Sequence, residues 1–207
     1  MPSNNYIYKM SNAGGMSTLA RYADMLAGNA TFIEPAYESI STVTVGAGGA
    51  ASVSFSSIPS TYTHLQVRYI VRTSAAAPGP EGDLVVVYGT PHANNGYSHI
   101  LYGNGASAIS GNSGGLGYSQ FASYTSSSTQ TASAFGAGIL DLLDYANTNK
   151  LKTWRTLGGW DANGSGLVTF TSGIQNDISA LTAITFTTNS GNSLAQYSSF
   201  ALYGIKG

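Results

Sequence analysis

AGILDLLDYANTNKLKTWRTLGGWDANGSG, residues 137–166, reads as strand, loop, strand and turn. The run Ile139-Leu140-Asp141-Leu142-Leu143 is apolar and too short for a stable helix. Asn147, Thr148 and Asn149 break it, because their side chains bond their own backbone and favour turns. Residues 151–157 resume in extended form, rich in Thr, Trp and Leu. Asp161, Asn163, Gly164 and Gly166 then close the unit with residues that tolerate left-handed backbone.

Working outward, the same texture repeats. Leu65, Val67, Tyr69 and Val71 alternate with His64, Gln66, Arg68, Ile70 and Arg72, which predicts a strand with one buried and one exposed face. Residues 39–46 and 51–56 alternate on either side of Ala47-Gly48-Gly49, the pattern of a β-hairpin. Residues 84–88, 97–102, 167–171, 181–187 and 197–205 complete about ten strand candidates. Residues 103–136 are mostly Gly, Ser, Ala and Thr, longer than a connection needs, so they form a functional or mobile loop or hide a weak strand. The expectation is an all-β fold, an antiparallel β-sandwich of jelly-roll type over residues 38–207. No fixed-period repeat argues for a propeller or β-helix.

Residues 1–37 differ. They read as an N-terminal arm with one short helix over 17–28, capped by Ser17 and closed by Gly28. Leu19, Tyr22 and Leu26 fall on one stripe of that helix. Ten residues are marginal as an isolated helix, so the stripe must dock, on its own domain or on a neighbouring subunit. Tyr6, Tyr8, Leu19, Tyr22 and Leu26 are therefore the expected partner-binding residues.

Charge is the anomaly. Asp, Glu, Lys and Arg make up 8% of the 207 residues, against about 25% in an average soluble protein. The formal net charge is −1, so little keeps copies or partners apart. Eight cations over the whole chain do not make a phosphate track, which argues against nucleic acid as a partner. There is no cysteine, hence no disulfide framework and no thiolate site. No stretch resembles a signal-peptide core or a membrane-spanning helix, and the expectation is assembly in the cytoplasm of a host without membrane attachment.

Catalytic patterns are weak. DANGSG at 161–166 has the look of a calcium loop, but the twelfth position is Ser172 and the intermediate acids are missing, so a turn is expected. Asp141 and Asp144 are a carboxylate pair in sequence only, since residues three apart on a strand face opposite ways. His64, His92 and His99 sit on different segments without ligand spacing. No nucleophile elbow or phosphate-binding loop is present. The chain is expected to be no enzyme and to need no cofactor or metal. Tyr97, Tyr102, Tyr118 and Tyr124 are the candidates for a glycan-stacking platform.

TLARYADMLAGNATFIEPAYESISTVTVGAGG (18–49) and FSSIPSTYTHLQVR (55–68) resemble a group of tailed-phage virion structural proteins of cyanophage type. The resemblance continues through LLDYANTNKLKTWRTLGGWDANGSG (142–166) and TFTSGI (169–174), ends in AQYSSFALYGIKG (195–207), and thins between residues 74 and 134. It implies a β-sandwich on the virion, as a capsid decoration or cement protein, with a trimer bound to the major capsid protein as the expectation. The alternative it leaves is a tail-fibre or spike module recognising host surface glycans.

Overall fold

The computed structural model describes residues 26–28, 35–76, 83–88, 95–116, 120–188 and 191–207. The chain divides into two compact units, Met1–Pro35 and Ala36–Gly207. In the first, Leu26 is helical and exposed, and Gly28 has the left-handed φ of 68° usual for a glycine that ends a helix. Tyr6, Tyr8, Leu19 and Tyr22 lie outside the described residues.

The second unit holds twelve strands among its described residues: β1 Tyr37–Thr44, β2 Ser52–Phe55, β3 His64–Val71, β4 Asp83–Tyr88, β5 Asn95–Gly103, β6 Ala108–Leu116, β7 Gln120–Tyr124, β8 Gly136–Leu143, β9 Lys152–Asp161, β10 Gly166–Gln175, β11 Ile184–Thr188 and β12 Ser199–Ile205. They form two sheets, with orders β1-β12-β3-β8-β9-β10-β5-β6 and β2-β11-β4-β7, and every named pair is antiparallel. Tyr37, read from sequence as the end of the arm, is the first residue of β1.

The stretch 137–166 spans β8 to the start of β10. Asp144, at φ 51°, begins the turn after β8, and its carbonyl accepts from Asn147 N at 3.0 Å. The Lys152 ammonium is buried and saturated there, donating to the carbonyls of Asn147, Lys150 and Ile178. Asp161 accepts from Asn163 N at 2.7 Å across the β9–β10 turn, with Asn163 at φ 61°. Among the described residues no three of His, Cys, Asp and Glu cluster around one point.

The core lies where the two sheets face each other. Leu65, Val67, Leu140, Leu142, Phe200 and Leu202 point inward from the large sheet. Phe186 of the small sheet meets Phe200 at 4.9 Å and Tyr69 at 6.2 Å between ring centroids. Tyr69 occupies space left by Gly138, its register partner on β8. A Cβ at Gly138 would stand 2.3 Å from the Tyr69 oxygen. Gly173 makes the same concession to Trp154 on β9.

The hairpin expected from residues 39–56 does not form. β1 pairs with β12 in one sheet and β2 with β11 in the other. Gly48 and Gly49 have left-handed φ, but the backbone groups around them bond the 194–198 segment: Val45 N to Ser198 O at 2.8 Å, and Ala50 N to Leu194 O at 2.9 Å. The glycines turn a corner between layers. Period-two alternation is identical for both arrangements, which is why the sequence favoured the shorter one.

Residues 103–136 hold two strands, β6 and β7, followed by a compact loop. That loop is organised by Arg72, whose guanidinium donates to the carbonyls of Ser128, Gln130, Thr131 and Ala134 at 2.8–3.1 Å.

Candidate functional site

Across the large sheet, antiparallel register aligns side chains into rows on its outer face. One row runs Ala201, Arg68, Ile139, Leu157, Phe170, Leu101 and Ser110, from β12 to β6. The neighbouring row runs Ser199, Ile70, Ala137, Gly159, Val168 and Gly103, with the small Ala137 and Gly159 between the two large side chains. Exposure of the six large apolar side chains in these rows ranges from 39% at Ile139 to 63% at Val168. Ala137, Gly159 and Gly103 make a floor, and Ile70, Ile139, Leu157 and Val168 make walls. The resulting groove measures about 1120 Å³, with Arg68 on its lining and the 104–105 and 164–166 turns along its rim.

The inner face of the same strands is the reverse. Thr156, Thr169, Thr171 and Gln175 are buried under β7, where Gln120 and Ser123 are buried too. Gln120 donates to Gln175 at 2.7 Å, Thr171 to the Ala122 carbonyl at 3.1 Å, and Tyr69 shares a 2.6 Å hydrogen bond with Ser123. Burial pushes the Tyr69 phenol well above the ordinary tyrosine range. The Thr156 and Thr169 hydroxyls are buried without a partner. In the middle of the β9–β10 pair Thr156, Thr169 and Thr171 therefore point in and Leu157, Val168 and Phe170 point out, against the usual direction.

A third outer row is polar: Tyr203, Gln66, Asp141, Arg155, Ser172, His99 and Asn112. At its β12 end, the Tyr37 and Tyr203 rings pack at 5.1 Å and the Arg68 guanidinium lies 5.7 and 5.6 Å from their centroids. Gln66 ties the cluster together. It accepts from Tyr37 and from Arg68 Nε, and donates to Asp141 at 2.8 Å. Burial pushes the Tyr37 phenol up, offset in part by Arg68. Aromatic backing and Gln66 hold Arg68 in place beside the groove.

The sequence candidates fall apart in space. Tyr97 is exposed on the outer face, whereas Tyr102, five residues along β5, faces the opposite way and packs edge-on against Tyr124 at 5.1 Å. Phe121 closes on Tyr124 at 4.8 Å. Tyr118 lies outside the described residues. Tyr97 shares no platform with the Tyr102–Tyr124 pair, because an odd separation on a strand changes faces. Asp141 is engaged by Gln66, while Asp144 turns to Lys150 at 2.6 Å. His64 Nδ1 accepts from Asp144 N at 3.0 Å and lies 3.7 Å from the Asp144 carboxylate. His99 lies four strand positions from β3, roughly 19 Å at about 4.8 Å per strand. His92 lies outside the described residues.

The apolar outer rows were not singled out from sequence. The signal was present in Leu167-Val-Thr-Phe-Thr-Ser-Gly-Ile174, whose alternation fixes two faces without saying which is inside. No protein-family model, curated protein or solved structure matches the chain.

Proposed function

We propose that this protein is a structural component of a tailed-phage virion, a decoration or cement protein on the capsid exterior that works as a small homo-oligomer, three copies being the simplest ring. The observation that carries this reading is the exposed apolar face of the large sheet on a chain with only 8% charged residues. A surface of that kind is suited to permanent contact with other protein. The resemblance of residues 18–68 and 142–207 to phage virion proteins supports the same assignment.

The sandwich is, in this reading, a jelly roll. Setting aside the hairpins β5–β6 and β9–β10, the sheets reduce to β1-β12-β3-β8 and β2-β11-β4-β7. Chain order then crosses between layers at every step except β4 to β7, which pair in the small sheet, the connectivity of two interlocked Greek keys. The two hairpins extend one sheet and carry most of the apolar face.

In this account residues 1–35, with Tyr6, Tyr8, Leu19, Tyr22 and Leu26, reach the major capsid protein. Burial of their apolar area would contribute about 25 cal/mol per Å² before the cost of ordering the segment. Glycan recognition by a tail module has less support, since the Tyr102 and Tyr124 rings pack edge-on against each other on the opposite face from Tyr97. The test is co-sedimentation of purified protein with undecorated particles. Full-length chain pellets with the particles, whereas residues 36–207 stay in the supernatant with an unchanged melting curve. Retention of the shortened chain on particles would remove the arm from this account.

A further inference from the structure

We propose that the outer face of the large sheet is where a second copy of this chain docks, with the edge of β6, unpaired among the described residues, at the margin of the contact. This rests on the reading above that the face is a protein interface, and it names the occupant.

Burial is inverted where the middles of β9 and β10 pair: Thr156, Thr169 and Thr171 lie inside, and Leu157, Val168 and Phe170 are left outside. In an isolated copy these three stay 46–63% exposed, and a second chain seated on the face completes their burial. Ile70, Ile139 and Leu101 continue the patch. Together the six expose apolar area on the order of 600 Å², the upper end of the largest patch on an ordinary monomer. With a polar rim this approaches the roughly 800 Å² per partner of a stable complex.

The rim favours self-recognition. It carries Arg68 and Arg155 against Asp141 and Asp161, equal numbers of each sign. A second copy therefore meets no net repulsion, and each sign finds its opposite. A basic or acidic partner would have no such match.

The sheet edges differ in the same sense. β1, at one edge, has a register shift between Ser39 and Ser41, and its Glu38 pairs with Lys206 at 3.0 Å. Bulges and charges of that kind discourage strand addition. β6, at the other, is AISGNSGGL, nine residues without a charge or a proline. Its Ser110 ends the apolar row. The unguarded edge and the uncovered face meet at one side of the molecule, as expected if one neighbour covers both.

The test is the mass of the full-length protein by light scattering and sedimentation velocity over a concentration series. The native chain forms a discrete oligomer. Leu157→Asp with Phe170→Asp weakens association by roughly 100-fold or more, as for central contacts of an interface. Ser110→Lys with Asn112→Lys weakens it less. Both changes fall on exposed positions, and thermal melts check that the fold persists; Leu157→Gln is the milder variant should the double aspartate melt early. A native chain that stays monomeric up to its solubility limit overturns the proposal, and so does an oligomer unaffected by the face variants. Particle binding is scored separately. Self-association lost in the face variants, but without particle binding by the native chain, sinks the virion reading and upholds this one.

Discussion

Arg72 looks from sequence like one more cation on the exposed side of β3, yet it is the post around which residues 128–134 are wound. Its planar fork reaches four carbonyls from one point, which an ammonium does not. Arg72→Lys is expected to cost about 2–3 kcal/mol in a urea titration, the range for hydrogen bonds to a charged donor. Gly138→Ala is expected to destabilise by about 1–3 kcal/mol, because the added carbon collides with the Tyr69 ring held between Gly138 and Ser123. Asp144 gives a pH-dependent test. The Lys150 ammonium holds its carboxyl below the usual aspartate range. A carboxyl whose folded pKa is depressed stabilises fully above its unfolded pKa and loses that contribution as pH falls through the folded value. The stability difference between native protein and Asp144→Asn is therefore present at neutral pH and closes below about pH 4.

At the scale of the element, the β9–β10 hairpin is the instructive case. Its existence was legible: the extended runs 151–157 and 167–171 and the turn residues at 161–166 between them all point to it. Its orientation was not. Val, Ile, Leu, Thr and Phe all suit a strand, and Thr169 and Thr171 serve inside because β7 passes close over them. The cost of this arrangement is visible in two orphaned hydroxyls. Thr156→Val and Thr169→Val each keep the shape and remove a buried unpaired oxygen, and are expected to raise stability by about 1 kcal/mol in calorimetry. In the 103–136 stretch the difficulty was composition. β6 is built of Gly, Ser and Asn, residues with no strand preference of their own, and it is a strand because β5 offers nine consecutive partners.

Over the whole molecule, the first and last strands close the sheet: β1 on β12, and β12 on β3. Such pairings require nearly the full chain to be brought together before they form. Refolding of residues 36–207 is expected on the millisecond-to-second scale of β-sandwiches, measured by stopped-flow fluorescence of Trp154 and Trp160. What the sequence determined alone was local and periodic. Alternation placed the inward residues of β2 and β3, and turn chemistry placed the corner at 161–166. The same reading placed a change of character near residue 37, close to where the second unit starts. Tertiary structure decided the rest. It separated β1 from β2, set Tyr97 apart from Tyr102, and gathered Ile139, Leu157, Phe170 and Leu101 from four strands into one row. The physical reason is that a strand's pattern specifies two faces and nothing more. Which neighbour it pairs with, and which face meets the core, follow from the long-range pairing that leaves the fewest backbone groups unbonded and the most apolar surface covered.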